Sequence, residues 1–152
     1  AILETEHVDI SERLITLPDT KNDTEHVLPL SKQALEIVKR RCANAEPALF
    51  PRKSDAAKPM RPDSAQAPLR EAIPALKIKP LTPHDLRRTA ATGISALQAP
   101  RLIVQKILNH KDTSVTAVYD QHRYLNEMRG WLQRWADHII KSPKKSRKAK
   151  AP

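Results

Sequence analysis

Proline and glycine set the first limit on this chain, which holds 13 Pro and only two Gly in 152 residues. Proline fixes φ, and glycine alone enters the left-handed region without cost. Tight glycine turns and phosphate-cradling glycine loops are therefore scarce, and nucleotide-binding fingerprints are excluded. A 39% hydrophobic fraction still fills a modest core, as expected for one domain of this length. Cys42 stands alone, which excludes an intrachain disulfide and a cysteine zinc site and fits a reducing compartment. No apolar run approaches the ~18 residues of a membrane span, and the N-terminus lacks the basic flank and apolar core of a signal peptide. A soluble, cytoplasmic protein without a membrane partner is expected.

The formal charge of +10 is uneven. Residues 141–152 carry six Lys or Arg and no acid, leaving +4 on the body. With few apolar side chains this end cannot offset its ordering entropy, so a disordered tail is predicted. It is either a solubilising end or a phosphate-binding arm. The positive body favours nucleic acid, with Lys144, Lys145, Arg147 and Lys148 as candidate contacts.

The expected fold is α+β: a mainly helical domain over 1–140 with a small antiparallel hairpin at its N-terminal side. Residues 7–18 and 24–30 read as its two strands, with Lys21 near the tip of the turn. Ser31 caps a helix with the apolar face Leu35, Ile37 and Val38, fading near Asn44–Pro47. Residues 51–68, with four Pro, read as a long surface loop before a helical group at Leu69–Leu76. Thr82 and Pro83 open a helix whose stripe is Leu86, Ala90, Ile94 and Leu97. Pro100 opens the next, which Asn109 stops in the left-handed conformation. A short helix around Ser114–Tyr119 and a long one from about Arg123 to Ile140 follow. The latter presents Tyr124, Met128, Trp131, Leu132, Trp135 and Ile139.

His84 lies in the first turn of its helix, where the positive dipole end favours an anion. Arg87 and Arg88 both fall on the His84 side, and spacing does not choose between them. His110 ends the following helix, and Tyr119 comes nine residues later. Singly, each has an ordinary packing or capping role. Together, His84-Asp-Leu-Arg87-Arg-Thr, Leu-Asn-His110 and Tyr119 resemble the catalytic core of the tyrosine recombinases, the phage-type integrases. Thr20-Lys21-Asn22 followed by Val27-Leu-Pro-Leu-Ser31 is similar to the family's strand-turn-strand with an active-site lysine. The resemblance covers residues from about 7 to 140, and the run after Tyr119 with Glu127, Arg129 and Trp135 resembles the integrases of prophages and integrative elements.

The resemblance implies cleavage and rejoining of double-stranded DNA through a 3′-phosphotyrosyl intermediate, with Tyr119 as nucleophile and Arg87 gripping the non-bridging oxygens. His84 would be a base or a phosphate donor. His110 would donate and pack, and Lys21 would protonate the leaving 5′ oxygen. No metal and no cofactor enter this chemistry. A homotetramer on DNA and association with the nucleoid are implied as well. The family's first catalytic arginine precedes the strand matching Val8-Asp9-Ile10, so a partial domain, weak or inactive alone, is expected. Asn109 stands where the family usually has Gly, and both suit a left-handed cap. The alternative is a non-enzymatic helix-turn-helix module with Arg87, Arg88 and Arg101 on phosphates. A type IB topoisomerase shares the tyrosyl chemistry but matches the local sequence less well.

Overall fold

The computed structural model describes residues 3–18, 20, 25–44, 47–52, 55–61, 64, 66–110 and 122–141. Lys21, the segment expected to be helical around Ser114–Tyr119, and the basic positions 144–148 lie outside the described residues. The chain is α+β: two small antiparallel sheets and a helical body.

The first sheet is a meander of β1 (Val8–Asp9), β2 (Leu14–Leu17) and β3 (His26–Pro29). The single strand expected over 7–18 is instead split by a turn. Asp9 Oδ1 accepts from Ser11 Oγ at 2.6 Å and from the Glu12 N–H at 2.8 Å. These bonds, the Glu12 N–H foremost, hold the Asp9 carboxyl below the usual carboxylate range. Arg13 then takes φ 57°, and its carbonyl accepts the Leu30 N–H at 2.8 Å. The expected hairpin is present as β2 and β3, with Leu17 opposite His26 at the open end toward residue 21.

Ser31 opens α1 (Lys32–Asn44): its Oγ accepts the Ala34 N–H at 3.2 Å. Leu35 and Val38 are buried, but Ile37 is 48% exposed. Two residues past Leu35 is about 200° round the helix, so Ile37 cannot share its face. The core here joins Leu30, Leu35 and Val38 to Leu49, packed by Val8, Ile15 and Phe50. Leu49 is drawn in by its N–H bond to the Leu3 carbonyl at 3.0 Å, a long-range pairing with no local sequence signal.

The loop expected over 51–68 is largely ordered. It contains β4 (Pro51–Arg52) and β5 (Asp55–Pro59), then the start of α2 (Gln66–Leu76). Pro51 stands opposite Pro59, so the donors that proline lacks are missing at a single rung of a two-stranded ribbon. Helix α2 begins three residues before the expected Leu69 and tolerates Pro74 inside it.

The helices α3 (Pro83–Ala96) and α4 (Arg101–Ile107) form as expected. Thr82 and Asp85 make a reciprocal cap, Asp85 N–H to Thr82 Oγ1 at 3.3 Å and Thr82 N–H to Asp85 Oδ2 at 3.0 Å. Ile94, Ile103 and Val104 are buried, whereas Leu86, expected on the same stripe, is 50% exposed because it lies in the first turn. Both helices end in a paired six-to-one and five-to-two bond. Ala99 N–H meets the Ile94 carbonyl and Gln98 N–H the Ser95 carbonyl; His110 N–H meets Gln105 and Asn109 N–H meets Lys106. The left-handed residues are Gln98 (φ 72°) and Asn109 (φ 49°), side chains where glycine is usual.

Helix α5 (Leu125–Lys141) packs on β3, α3 and α4. Tyr124, expected on its face, precedes it at φ 52°, and Ile139 is 53% exposed near its far end. Met128 is buried. Gln133 Oε1 accepts the Lys32 N–H at 2.8 Å and so caps α1 from a distance, while Gln33 Nε2 donates to Asp137 at 2.8 Å. Those bonds, Gln33 first and Gln133 next, hold the Asp137 carboxyl below its usual range. Trp135 lies directly on Gly93 of α3: a Cβ there would meet its ring, with Cε3 at 2.9 Å and Cζ3 and Cη2 nearer still. Among the described residues no helix is long and apolar enough to cross a membrane.

Two substitutions test this packing. Gly93→Ala should destabilise the chain by about 1–3 kcal/mol through overpacking, reversing the ~1 kcal/mol that alanine normally gains over glycine in a helix. Gln98→Gly should stabilise it by about 0.5–1 kcal/mol by relieving the left-handed side chain. Urea unfolding measures both, and a stabilising Gly93→Ala contradicts the seat of Trp135.

Candidate active site

The C-terminal end of α4 gathers the polar groups. Arg87, one turn into α3, donates from Nη2 to the carbonyl of Leu108, the C-cap residue of α4. Arg88 turns the other way, with Nη1 3.9 Å from Asp85 Oδ1 in the first turn of its own helix. Of the two arginines, Arg87 is the one that reaches the α4 end from which His110 follows. His84 and His110 are both exposed. Asp85, one residue after His84, is held below the usual carboxylate range by the Thr82 backbone and hydroxyl, with Arg88 and His84 adding a smaller pull.

His26 of β3 completes the cluster, and sequence reasoning missed it. Burial is the main cause that pushes its pKa below the ordinary 6.5; the Ile107 backbone opposes this in part, and the charge of Arg87 adds to it. Its Nε2 is buried without a hydrogen-bond partner among the described residues. No spacing rule singles out a strand histidine whose neighbours come from helices 60 and 80 residues later. Asn109 Nδ2 donates to Thr20 Oγ1 at 3.1 Å, which brings the hairpin to the same helix end. Lys21 follows Thr20 in the chain but lies outside the described residues, as does Tyr119.

Where the described chain resumes, it lies against the same elements. The ring of His122 meets Tyr124 edge-on with centroids 4.5 Å apart, and Lys106 of α4 sits 5.4 Å above Tyr124. Arg123 Nη2 lies 3.8 Å from Glu25 Oε1, beside β3. Arg101 is exposed at the other end of α4, about 10 Å along the axis from Leu108 at 1.5 Å per residue. It is therefore not part of the cluster. Among the described residues no group of three or more His, Cys, Asp or Glu could hold a metal ion. The surface is instead a set of cationic and hydrogen-bond donors, suited to an oxyanion or phosphodiester.

The depressed His26 gives a pH dependence. The folded chain binds fewer protons than the unfolded chain from pH 6.5 down to the lowered value. Its contribution to stability is full above that window and is lost as pH falls through it. Urea unfolding at stepped pH should show stability declining below about 6.5, with a shallower decline in His26→Gln. An equal decline in the variant removes His26 as the cause.

The chain is 28% identical over 133 residues to Prophage integrase IntA of Escherichia coli K12, covering 85% of this chain and 31% of that protein. It is 30% identical over 107 residues to Tyrosine recombinase XerD of Halalkalibacterium halodurans, covering 65% and 36%. The chain therefore spans about a third of the length of these relatives. Its fold is similar to that of an integrase from mycobacterium phage Brujita, with a TM-score of 0.69 over 89% of this chain and 45% of that one, at 20% identity. The model of the phage integrase family matches residues 1–126, the stretch that holds the hairpin, His84, Arg87, His110 and Tyr119, and the chain belongs to that family.

Proposed function

We propose that this chain is the catalytic part of a site-specific recombinase that cleaves and rejoins double-stranded DNA through a 3′-phosphotyrosyl intermediate. The observation that carries the reading is convergence: Arg87 and Asn109 bring the His84–Arg87 helix and the Thr20 end of the hairpin to the α4 cap that presents His110. A helix-turn-helix reader gives this convergence no purpose, and its second helix here is seven residues long with Ile103 and Val104 buried.

In the proposed reaction the Tyr119 hydroxyl oxygen attacks the scissile phosphorus and the bond from phosphorus to the 5′ oxygen breaks. The phenolic proton leaves to a base, a role open to His84, and the Lys21 ammonium protonates the departing 5′ oxygen. Arg87 and His110 donate to the non-bridging oxygens as charge builds. The phosphotyrosyl bond conserves the energy of the original linkage, so a second 5′ hydroxyl can attack it and regenerate the phosphodiester and the free Tyr119. The full protein acts as a homotetramer on two duplexes in the cytoplasm, on the nucleoid. Arg88, Arg101 and the basic positions 144–148 contact phosphates outside the reacting group.

A nicked substrate that traps the cleaved strand should give a denaturation-resistant protein–DNA adduct with the full-length protein. Tyr119→Phe should abolish it. Tyr124→Phe should retain it, because phenylalanine keeps the ring that Lys106 and His122 meet. Loss in Tyr124→Phe and survival in Tyr119→Phe would reassign the nucleophile. Absence of any adduct despite tight DNA binding would favour the helix-turn-helix module.

Arg87→Lys keeps the charge and removes the two-pronged donor. It should slow single-turnover cleavage by about 10²–10³, the usual cost of one preorganised donor to a developing charge. Removing residues 141–152 should lower the salt slope of DNA binding by up to ~5, at roughly 0.9 per phosphate contact. An unchanged slope makes this end a solubilising segment only.

A further inference from the structure

The carbonyls at the end of α4, those of residues 105–108, have no partners inside the helix, yet each is met. The His110 N–H donates to the Gln105 carbonyl at 3.0 Å and the Asn109 N–H to the Lys106 carbonyl at 3.1 Å. The Leu108 carbonyl accepts from Arg87 Nη2 of α3. Ile107 remains, and its carbonyl is met by the ring of His26 from β3. His26 Nε2 is buried with no hydrogen-bond partner among the described residues, so Nδ1 is the nitrogen that donates. The two side-chain donors therefore serve adjacent carbonyls, an imidazole on Ile107 and a guanidinium on Leu108.

The charge of the ring matters to its neighbour. A proton on Nε2 would place a donor in a buried site that offers no acceptor, near a guanidinium that is always charged. The paired strand β2 brings no titratable side chain over Leu14–Leu17. On α4, Lys106 lies over the Tyr124 ring. On α5, which packs on β3, Glu127 lies 3.8 Å from His122 and Arg129 donates to the Glu12 carbonyl. Glu25, the preceding residue, lies 3.8 Å from Arg123. Among the described residues the charge that acts on His26 is that of Arg87, and it opposes a second positive charge there.

We propose that His26 is a positioning residue for Arg87: as a neutral donor it occupies the Ile107 carbonyl, so the guanidinium engages the helix end at Leu108 and keeps its other N–H groups for the scissile phosphate. The proposal rests on the reading of Arg87 as the phosphate clamp. His26 itself touches no reacting atom. Without its donor the Ile107 carbonyl is left unmet, and the adjacent guanidinium, with five N–H groups, is drawn inward onto it. With a proton on Nε2 the two cations repel, and Arg87 is displaced from its seat.

The test uses the full-length protein in single-turnover cleavage. At about pH 8, where the imidazole is neutral, His26→Phe keeps a ring and removes the donor. It should slow cleavage by about 2–10-fold, the range set by one net hydrogen bond. His26→Asn, which keeps a neutral N–H near the place of Nδ1, should cleave close to the parent rate. In an Arg87→Ala background His26→Phe should slow nothing further, as expected of a residue that acts through another. Lowering the pH to about 5.5 should reduce the parent rate relative to that of His26→Asn, because only the parent gains a charge beside Arg87. Taking this ratio removes the titration of His84 and His110, which both proteins share.

Equal slowing by His26→Phe with and without Arg87 makes His26 a packing residue and overturns the proposal while Arg87 keeps its role. A ratio of parent to His26→Asn that stays flat with pH overturns it as well. If Arg87→Ala cleaves at the parent rate, Arg87 is not the clamp and the role given to His26 falls with that reading. Thermal melts confirm that each variant is folded at the assay temperature; should His26→Phe fail to fold, the pH ratio of parent to His26→Asn decides alone.

Discussion

The end of a helix is an electrostatic object before it is a structural one. The last carbonyls of α4 have no partners within the helix and carry the negative end of its dipole. Part of that demand is met by the chain itself, through the His110 and Asn109 N–H groups. The rest draws in donors from elsewhere: the Arg87 guanidinium on Leu108 and the His26 ring beside Ile107. A single arginine has more donors than one carbonyl can use. Arg87 is therefore held in place by the protein with N–H groups to spare, the kind of preorganised donor that the proposed reaction would use.

The body that holds this end steady is built by α5. Gln133 caps α1, Arg129 Nη2 reaches the Glu12 carbonyl at 2.9 Å, and Trp135 seats on Gly93. These contacts tie the β1–β2 turn, the first helix and α3 to one rod. The Gly93 notch admits the indole only because no side chain projects there. One of two glycines in the chain is thus used for close approach, and the left-handed positions fall to residues with side chains. Asn109 shows that such a residue can return something for the strain it carries.

The parts of the fold legible in the sequence are those governed by neighbours a few residues apart. Thr82, Pro83 and Asp85 build their cap from local chemistry, Ser31 does the same for α1, and the left-handed turn at Asn109 follows from a short polar side chain at a helix end. The errors share one cause. Ile37, Leu86 and Ile139 look apolar enough for the core but are exposed, because burial depends on which face a partner covers. The split of residues 7–18 turns on one carboxylate, Asp9, folding back on its own backbone. In the candidate site the order of motifs was readable, and the resemblance preferred Arg87 where spacing did not, whereas the place of His26 and the bond from Asn109 to Thr20 were not readable. Each joins residues far apart in sequence. Lys21 and Tyr119 are known here from sequence and family alone.

Helix α5 is attached by unlike contacts on its two sides. Of its 17 residues only Met128 is fully buried among those described, and its links to α1 and to the β1–β2 turn are amide, carboxylate and guanidinium contacts. On that side the helix is held by polar bonds, whereas Trp135 and Met128 pack it on the helical body. Freeing this helix breaks those polar links and also lifts Met128 and the Trp135 ring off the body, so the opening has a polar and an apolar part. With that opening α1 loses the cap supplied by Gln133.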